Sequence, residues 1–247
     1  MGGDHAPGVV VDGAVSAARH LGVRISLVGA TAAVEASLDR YPDWRDLGIE
    51  LVDAPDVVGM SEAPVAALRR KPRASIKVAA ELVAAGRASA LFSAGHTGAT
   101  LFAAHTTFGL VPSVDRPALA TTIPTRAGAA VLLDAGANVD CRPSHLLQFG
   151  VMGSAYARLA LGVARPRVAL LSIGEEASKG NELTRDAHQL LRASPIHFVG
   201  NVEGREIYSG TADVVVCDGF TGNIVLKTSE GLVEAVEALL EIGRAHV

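Results

Sequence analysis

Charge is sparse in this sequence, and that shortage already excludes whole classes of protein. Only 19% of the 247 residues are charged and 49% are hydrophobic, a balance too apolar for a disordered chain. The formal net charge of −4 offers no global attraction to a nucleic-acid backbone, so an anionic partner must be met by a local basic patch. Aromatic residues are only 4%, which leaves the core to aliphatic side chains. Two cysteines, Cys141 and Cys217, stand far apart in no metal-like spacing and read as reduced thiols of a cytosolic protein. No apolar run is long enough to span a bilayer, and the start lacks the charged-then-apolar layout of a signal peptide.

Familiar catalytic signatures are missing as well. Without G-x-x-x-x-G-K-[ST] the chain has no ordinary nucleotide-hydrolysing loop, and without G-x-G-x-x-G after a strand it lacks a dinucleotide fingerprint. No G-x-S-x-G elbow presents a serine nucleophile. The eight histidines show neither H-x-x-x-H nor H-E-x-x-H spacing, so no metal is expected. No cofactor is implied either.

What is present is alternation. Short apolar runs, most of them rich in β-branched residues, occur at Val23–Gly29, Ile49–Asp53, Ala90–Ser93, Leu119–Ile123, Ala129–Asp134, Arg167–Ile173, Ile196–Gly200 and Asp213–Asp218. Most are continuous rather than alternating, as in strands covered on both faces. Between them lie amphipathic stretches at helical period: Pro7–Leu21, Thr31–Asp39, Ala74–Ala85, Thr97–Phe108, Ser144–Leu161, Asn181–Arg192 and Thr221–Leu240. The pattern predicts an α/β fold, a three-layer αβα sandwich around one largely parallel sheet. No linker or repeat divides the chain, so residues 1–240 are expected to form a single domain. Residues 241–247 read as the in-frame translation of a sequencing adapter and are expected to be a non-native tail.

In open α/β sheets ligands collect at the carboxyl ends of the strands. Five expected strand ends finish in small, glycine-bearing loops. They are Gly2-Gly3-Asp4-His5, Ser93-Ala94-Gly95-His96-Thr97-Gly98, Asp134-Ala135-Gly136-Ala137-Asn138, Gly174-Glu175-Glu176 with Lys179-Gly180-Asn181, and Asp218-Gly219-Phe220-Thr221-Gly222-Asn223. Glycine lets backbone N–H groups approach an anion, and a following helix adds partial positive charge. Such loops suit phosphate or a developing oxyanion, although a single one is usually only a turn.

The same loops carry a family resemblance. Met1-Gly2-Gly3-Asp4-His5-Ala6-Pro7, Asp115-Arg116-Pro117-Ala118-Leu119, Leu132–Cys141, His145–Phe149, Ile173–Glu176 with Lys179–Glu182, Gly200-Asn201-Val202-Glu203-Gly204-Arg205 and Val216–Asn223 resemble the phosphate acyltransferase (PlsX) family, nearly end to end. The resemblance implies a fold like isocitrate and isopropylmalate dehydrogenases and phosphotransacetylase. It implies conversion of acyl-[acyl-carrier protein] and inorganic phosphate to acyl phosphate in bacterial phospholipid synthesis, for use by a membrane glycerol-3-phosphate acyltransferase. It further implies a cytoplasmic homodimer with peripheral membrane association. Family members usually carry a strand before the Met-Gly-Gly-Asp-His block and more chain beyond Leu240, and they most often have Asn where this chain has His96. A coenzyme A-dependent phosphotransacetylase and a non-catalytic anion-binding module of the same fold remain alternatives.

Phosphate is already an anionic nucleophile at neutral pH, so the site must hold charge and stabilise an oxyanion. Lys179 and Lys227 are the cationic candidates, and His5 and His96 could protonate the departing thiolate. Gly3, Asp4, Ser93, Gly95, Thr97, Gly98, Gly174, Gly180, Gly219, Thr221 and Gly222 are candidates to bind phosphate or substrate. Asn138, Asn181 and Asn223 could orient phosphate or the thioester carbonyl, or else cap helices and turns. Arg69, Arg70, Lys71 and Arg73 form the one dense basic run, a candidate landing site for the acidic carrier protein or simply a solvated turn.

Overall fold

A computed structural model describes residues 1–244, with side chains described through Leu240. The tail expected at 241–247 thus lies outside the described residues, apart from helical backbone over 241–244. The chain divides into two compact units, Met1–Val111 and Pro112–Val247.

The first unit contains α1 (Gly8–Leu21), β1 (Ile25–Gly29), α2 (Thr31–Leu38), β2 (Ile49–Asp53), α3 (Pro64–Arg70), α4 (Ser75–Ala84) and α5 (Thr97–Phe108). β1 and β2 pair in parallel from Ile25↔Ile49 to Gly29↔Asp53. α1 stops where Gly22 turns left-handed at φ 62° and its N–H returns to the Ala18 carbonyl. Val11, Val15 and Ala18 from α1 pack with Leu27, Val34, Leu38, Trp44 and Ile49. A second cluster joins Val58, Ala67, Leu68, Ala80, Ala99 and Ala103, in which alanines let α3, α4 and α5 approach closely.

The second unit contains β3 (Ala120–Thr125), β4 (Gly128–Leu133), α6 (Pro143–Ala160), β5 (Val168–Leu171), α7 (Glu182–Ala193), β6 (Phe198–Val202), β7 (Val214–Val216) and α8 (Gly219–Arg244). Its sheet runs in the order β3-β4-β7-β5-β6, parallel except for the β3–β4 hairpin. Alternation along each strand splits the core in two. Val131, Leu133, Val168, Leu170, Val214 and Val216 face α6 and α7 through Leu146, Phe149, Ala187 and Leu191. Leu132, Ala169, Leu171, Val215 and Cys217 fill the opposite face with Ile207 and Val225. Both faces are covered, which is why these strands read as unbroken apolar runs.

The α/β class and the mixed, mostly parallel sheet agree with the sequence. The expectation of one sheet does not hold, because the strands form separate two- and five-stranded sheets. The run Ala90–Ser93, expected as a strand, is irregular and mostly exposed. It has no β-branched residue and no buried face to fix a register, so nothing drives it into a ladder.

Candidate active site

In the first unit, two expected loops meet. A β-carbon on Gly3 would stand 2.7 Å from the Ala94 carbonyl oxygen, and one on Gly2 would stand 2.6 Å from that of Val58. Only glycine lets these backbones pass so closely. The Ser93 hydroxyl accepts from the Gly95 N–H at 3.2 Å. His96 caps α5, its Nδ1 accepting from the Gly98 N–H at 3.1 Å. That bond leaves only Nε2 of His96 for substrate. Ser75, Ser93, Gly95, His96 and Thr100 border a cavity of about 10 Å³, room for a water at most. Asp4, His5 and Thr97 are exposed.

In the second unit the parallel strands β4, β7 and β5 are neighbours, so the loops that follow them share one sheet edge. Asp134, fully buried just after β4, organises the first. Its Oδ1 accepts from the N–H groups of Leu119, Gly136 and Ala137 at 3.1, 3.1 and 2.8 Å. Its Oδ2 accepts from the Asn138 backbone at 2.8 Å and from Asn138 Nδ2 at 2.7 Å. The other Nδ2 hydrogen of Asn138 goes to the Pro117 carbonyl at 2.8 Å. The nest expected to cradle phosphate therefore encloses the protein's own carboxylate. Asn138 is scaffold rather than an orienter of substrate, because its donors are all engaged.

The loop after β7 interlocks with this one. The Gly219 N–H donates to the Asn138 carbonyl at 2.7 Å, and a β-carbon on Gly222 would fall 1.9 Å from the Asp134 carbonyl oxygen. Asp218 caps α8, accepting from the Thr221 N–H at 2.9 Å and hydroxyl at 2.7 Å. Asn223 is exposed, with its Oδ1 3.5 Å from where a Gly136 β-carbon would lie. Further along α8, Lys227 is paired with Glu230 at 2.7 Å.

The loop after β5 carries the other lysine. Gly174 is buried under it, since an added β-carbon would sit 2.9 Å from Lys179 Cγ. Gly180 adopts φ 97°, where a side chain would collide with the Thr184 hydroxyl. Asn181 caps α7, accepting from the Thr184 N–H at 2.9 Å. Lys179 is exposed, and among the described residues its ammonium has no carboxylate partner. Glycine-bearing turns and helix N-termini thus share an edge, where the Asp218 carboxylate already caps α8 and the exposed Glu175 and Glu176 flank the uncommitted Lys179.

Titration marks scaffold here rather than chemistry. Burial, with the negative charges of Asp218 and Asp134, pushes the Cys141 thiol up to about 11 and raises Cys217 further. Neither thiol is a ready nucleophile. Burial also holds His145 below the ordinary histidine range, and its Nδ1 accepts from the Arg142 N–H at the start of α6. Among the described residues no three His, Cys, Asp or Glu side chains gather as a metal would need.

Half of the basic run is committed locally. Lys71 bonds both Glu62 carboxylate oxygens, at 2.7 and 2.6 Å, and the Val57 carbonyl at 2.6 Å. Arg73 pairs with Asp53 at 2.9 Å. Arg69 and Arg70 end α3 exposed, without an ion pair among the described residues. Sequence reasoning did not single out His188 or Asn201, a buried pair behind the Lys179 loop. The signal was there in Gly200–Arg205, a polar block closing an apolar strand.

Comparison with known proteins bears on the family and the fold. A family described as "Fatty acid synthesis protein" matches residues 1–243. A phosphate acyltransferase from Citrifermentans bemidjiense is 53% identical over 98% of this chain and 68% of its own length. Those of Heliobacterium modesticaldum and Desulforudis audaxviator are 52% and 55% identical over 98% and 96% of the chain, and 72% and 69% of theirs. In structure the chain is similar to a phosphotransacetylase from Streptococcus pyogenes, with TM-score 0.64 and 18% identity over 91% of this chain and 78% of that one. It is also similar to the EutD phosphotransacetylase from Staphylococcus aureus, with TM-score 0.60 and 17% identity over 89% and 78%. At such identities the likeness is one of fold alone.

Proposed function

This chain belongs to the phosphate acyltransferase family of fatty acid synthesis proteins, and we propose that it transfers an acyl group from the thioester of acyl-carrier protein to inorganic phosphate. A phosphate oxygen attacks the thioester carbonyl carbon, and a C–O bond forms as the carbonyl π pair moves onto oxygen. The tetrahedral oxyanion then collapses, the C–S bond breaks, and sulfur leaves with its electron pair and is protonated. Acyl phosphate and free carrier protein result. No covalent enzyme intermediate is needed, because phosphate is itself the nucleophile.

One observation carries this reading beyond the family. The glycine-bearing loops after β7 and β5 share an edge, and there the uncommitted Lys179 comes two residues before Asn181, the uncharged cap of α7, which favours an anion at that helix start. Lys179 holds phosphate in this scheme, and Gly174, Gly180, Gly219, Thr221, Gly222 and Asn223 shape its seat. Arg69 and Arg70 meet the acidic carrier protein.

No helix among the described residues is long and apolar enough to cross a membrane. Dimerisation and peripheral membrane contact, like the onward supply of acyl phosphate to a glycerol-3-phosphate acyltransferase, are proposed from the family. The exposed Leu232, Val233, Val236, Leu239 and Leu240 of α8 offer an apolar surface for such contacts.

Hydroxylamine trapping tests the reaction. Acyl hydroxamate should form from acyl-[acyl-carrier protein] in a manner that depends on added phosphate. Product from acyl-coenzyme A alone would favour the phosphotransacetylase reading, and no product from either would leave an anion-binding module.

A further inference from the structure

We infer that His188 and Asn201 are positioning residues for the proposed phosphate site, fixing the loop that presents Lys179. The inference rests on the reading of Lys179 as the phosphate-holding cation. Its basis is a relay of three contacts. Asn201 Nδ2 donates to the Glu176 carbonyl at 3.0 Å, and the Lys179 N–H donates to that same carbonyl at 3.0 Å. His188 Nδ1 lies 2.8 Å from Asn201 Oδ1.

The donors and acceptors can be arranged in only one way. A carbonyl oxygen only accepts, so the Asn201 atom facing Glu176 is its amide nitrogen. Its Oδ1 therefore faces His188, and Nδ1 of His188 must carry the hydrogen. Both side chains are buried, Asn201 at 7% and His188 at 8% exposure. A polar group so placed costs free energy unless paired, and here each is paired with the other. The ring of Phe198 meets that of His188 edge-on, with centroids 5.1 Å apart, and helps to fix its orientation.

The relay ties the loop to two neighbours. Asn201 stands on β6, opposite Leu170 of β5, and His188 stands on α7, the helix that the loop enters. Between them they hold the Glu176 carbonyl, three residues before a lysine whose own side chain has no local tether. Loss of the relay leaves Lys179 in the chain but not at a fixed distance from phosphate, which is how a small misplacement weakens a site.

Phosphate-dependent hydroxamate formation by the full chain, at saturating acyl-carrier protein, provides the test. Asn201→Asp keeps the acceptor for His188 but sets an oxygen against the Glu176 carbonyl. It should raise the KM for phosphate by about tenfold, the scale of one lost buried hydrogen bond, and leave that for carrier protein unchanged. His188→Phe keeps the ring against Phe198 and should act in the same direction, which keeps the test alive if Asn201→Asp does not fold. His188→Asn, whose amide nitrogen replaces Nδ1, should recover most of the loss. In a Lys179→Ala background, His188→Phe should add almost nothing, because the relay acts through that lysine. An unchanged phosphate KM in His188→Phe, or an equal further loss in the Lys179→Ala background, would overturn the inference. An unchanged phosphate KM and an unchanged turnover in Lys179→Ala itself would instead overturn the reading of Lys179, and the inference with it.

Discussion

Gly222 passes the carbonyl of Asp134 so closely that a β-carbon on the glycine would stand 1.9 Å from its oxygen. The same β-carbon would lie 2.9 Å from the Cys217 sulfur, so neither side can yield. Gly222→Ala should therefore force the β4 and β7 loops apart, lowering stability by about 1–3 kcal/mol or more, as overpacking does. Activity should fall further than stability alone accounts for. Urea unfolding together with turnover measures both, and a variant near wild type in each would mean that the loops need not interlock.

The two lysines are not equivalent. Lys227 is already paired with Glu230 on an exposed helix face, whereas Lys179 is uncommitted. Lys179→Ala should raise the phosphate KM or lower turnover by roughly ten- to a hundredfold, the range of one charge-assisted contact. Lys227→Ala should cost severalfold less, with little change in melting temperature, since such a surface pair contributes about 1 kcal/mol at most. Steady-state kinetics of the two variants would show the order, and a larger loss in Lys227→Ala would reverse these roles.

Carrier-protein docking should depend on Arg69 and Arg70 rather than on the whole basic run. Replacing both with Ser should raise the KM for acyl-carrier protein and flatten its dependence on salt, with the phosphate constant unchanged. Lys71→Ser should instead lower stability, because Lys71 joins Glu62 to the Val57 carbonyl. Kinetics at two ionic strengths would separate these effects. Equal changes in both substrate constants would argue against a docking role.

A fourth expectation concerns acid. The Arg167 guanidinium donates to both Asp213 oxygens, and with the Arg167 N–H it holds that carboxyl below the usual carboxylate range. A depressed folded pKa contributes stability that is full above the unfolded value, about 4, and is lost as pH falls through the folded one. Asp213→Asn should thus cost about 1–2 kcal/mol at pH 7, and the gap from wild type should narrow below pH of about 4. Denaturant unfolding at pH 7 and at low pH would check this. A gap that widens in acid would show that the sign is wrong.

Much of the second unit was legible because its chemistry is uniform. Val168–Leu171 and Val214–Val216 are buried on both sides, so burial wrote the strands directly into the sequence. Helix starts were legible where a polar side chain caps them, as Asn181 does. Ala90–Ser93 misled because a short apolar run carries no information about a partner. The site was less legible for a related reason. Glycine-rich loops look alike whether they enclose a ligand or, as at Asp134, the protein's own carboxylate. Only the hydrogen bonds distinguish them, and those involve Pro117 and Leu119, distant along the chain. His188 and Asn201 were missed because a buried His–Asn pair has no sequence spacing of its own.

The strand order has a consequence for synthesis. Among the described strands β7 comes last in sequence, yet it lies at the centre of the five-stranded sheet, between β4 and β5. On a ribosome, the β3–β4 hairpin and the β5–β6 pair emerge first, each with an open inner edge awaiting the same three valines. Until Val214–Val216 leave the exit tunnel, the two half-sheets have no common strand and their exposed edges are free to pair wrongly. The unit therefore closes from the middle and late, and its vulnerable interval in the cell is set by translation of the eighty residues or so between β4 and β7.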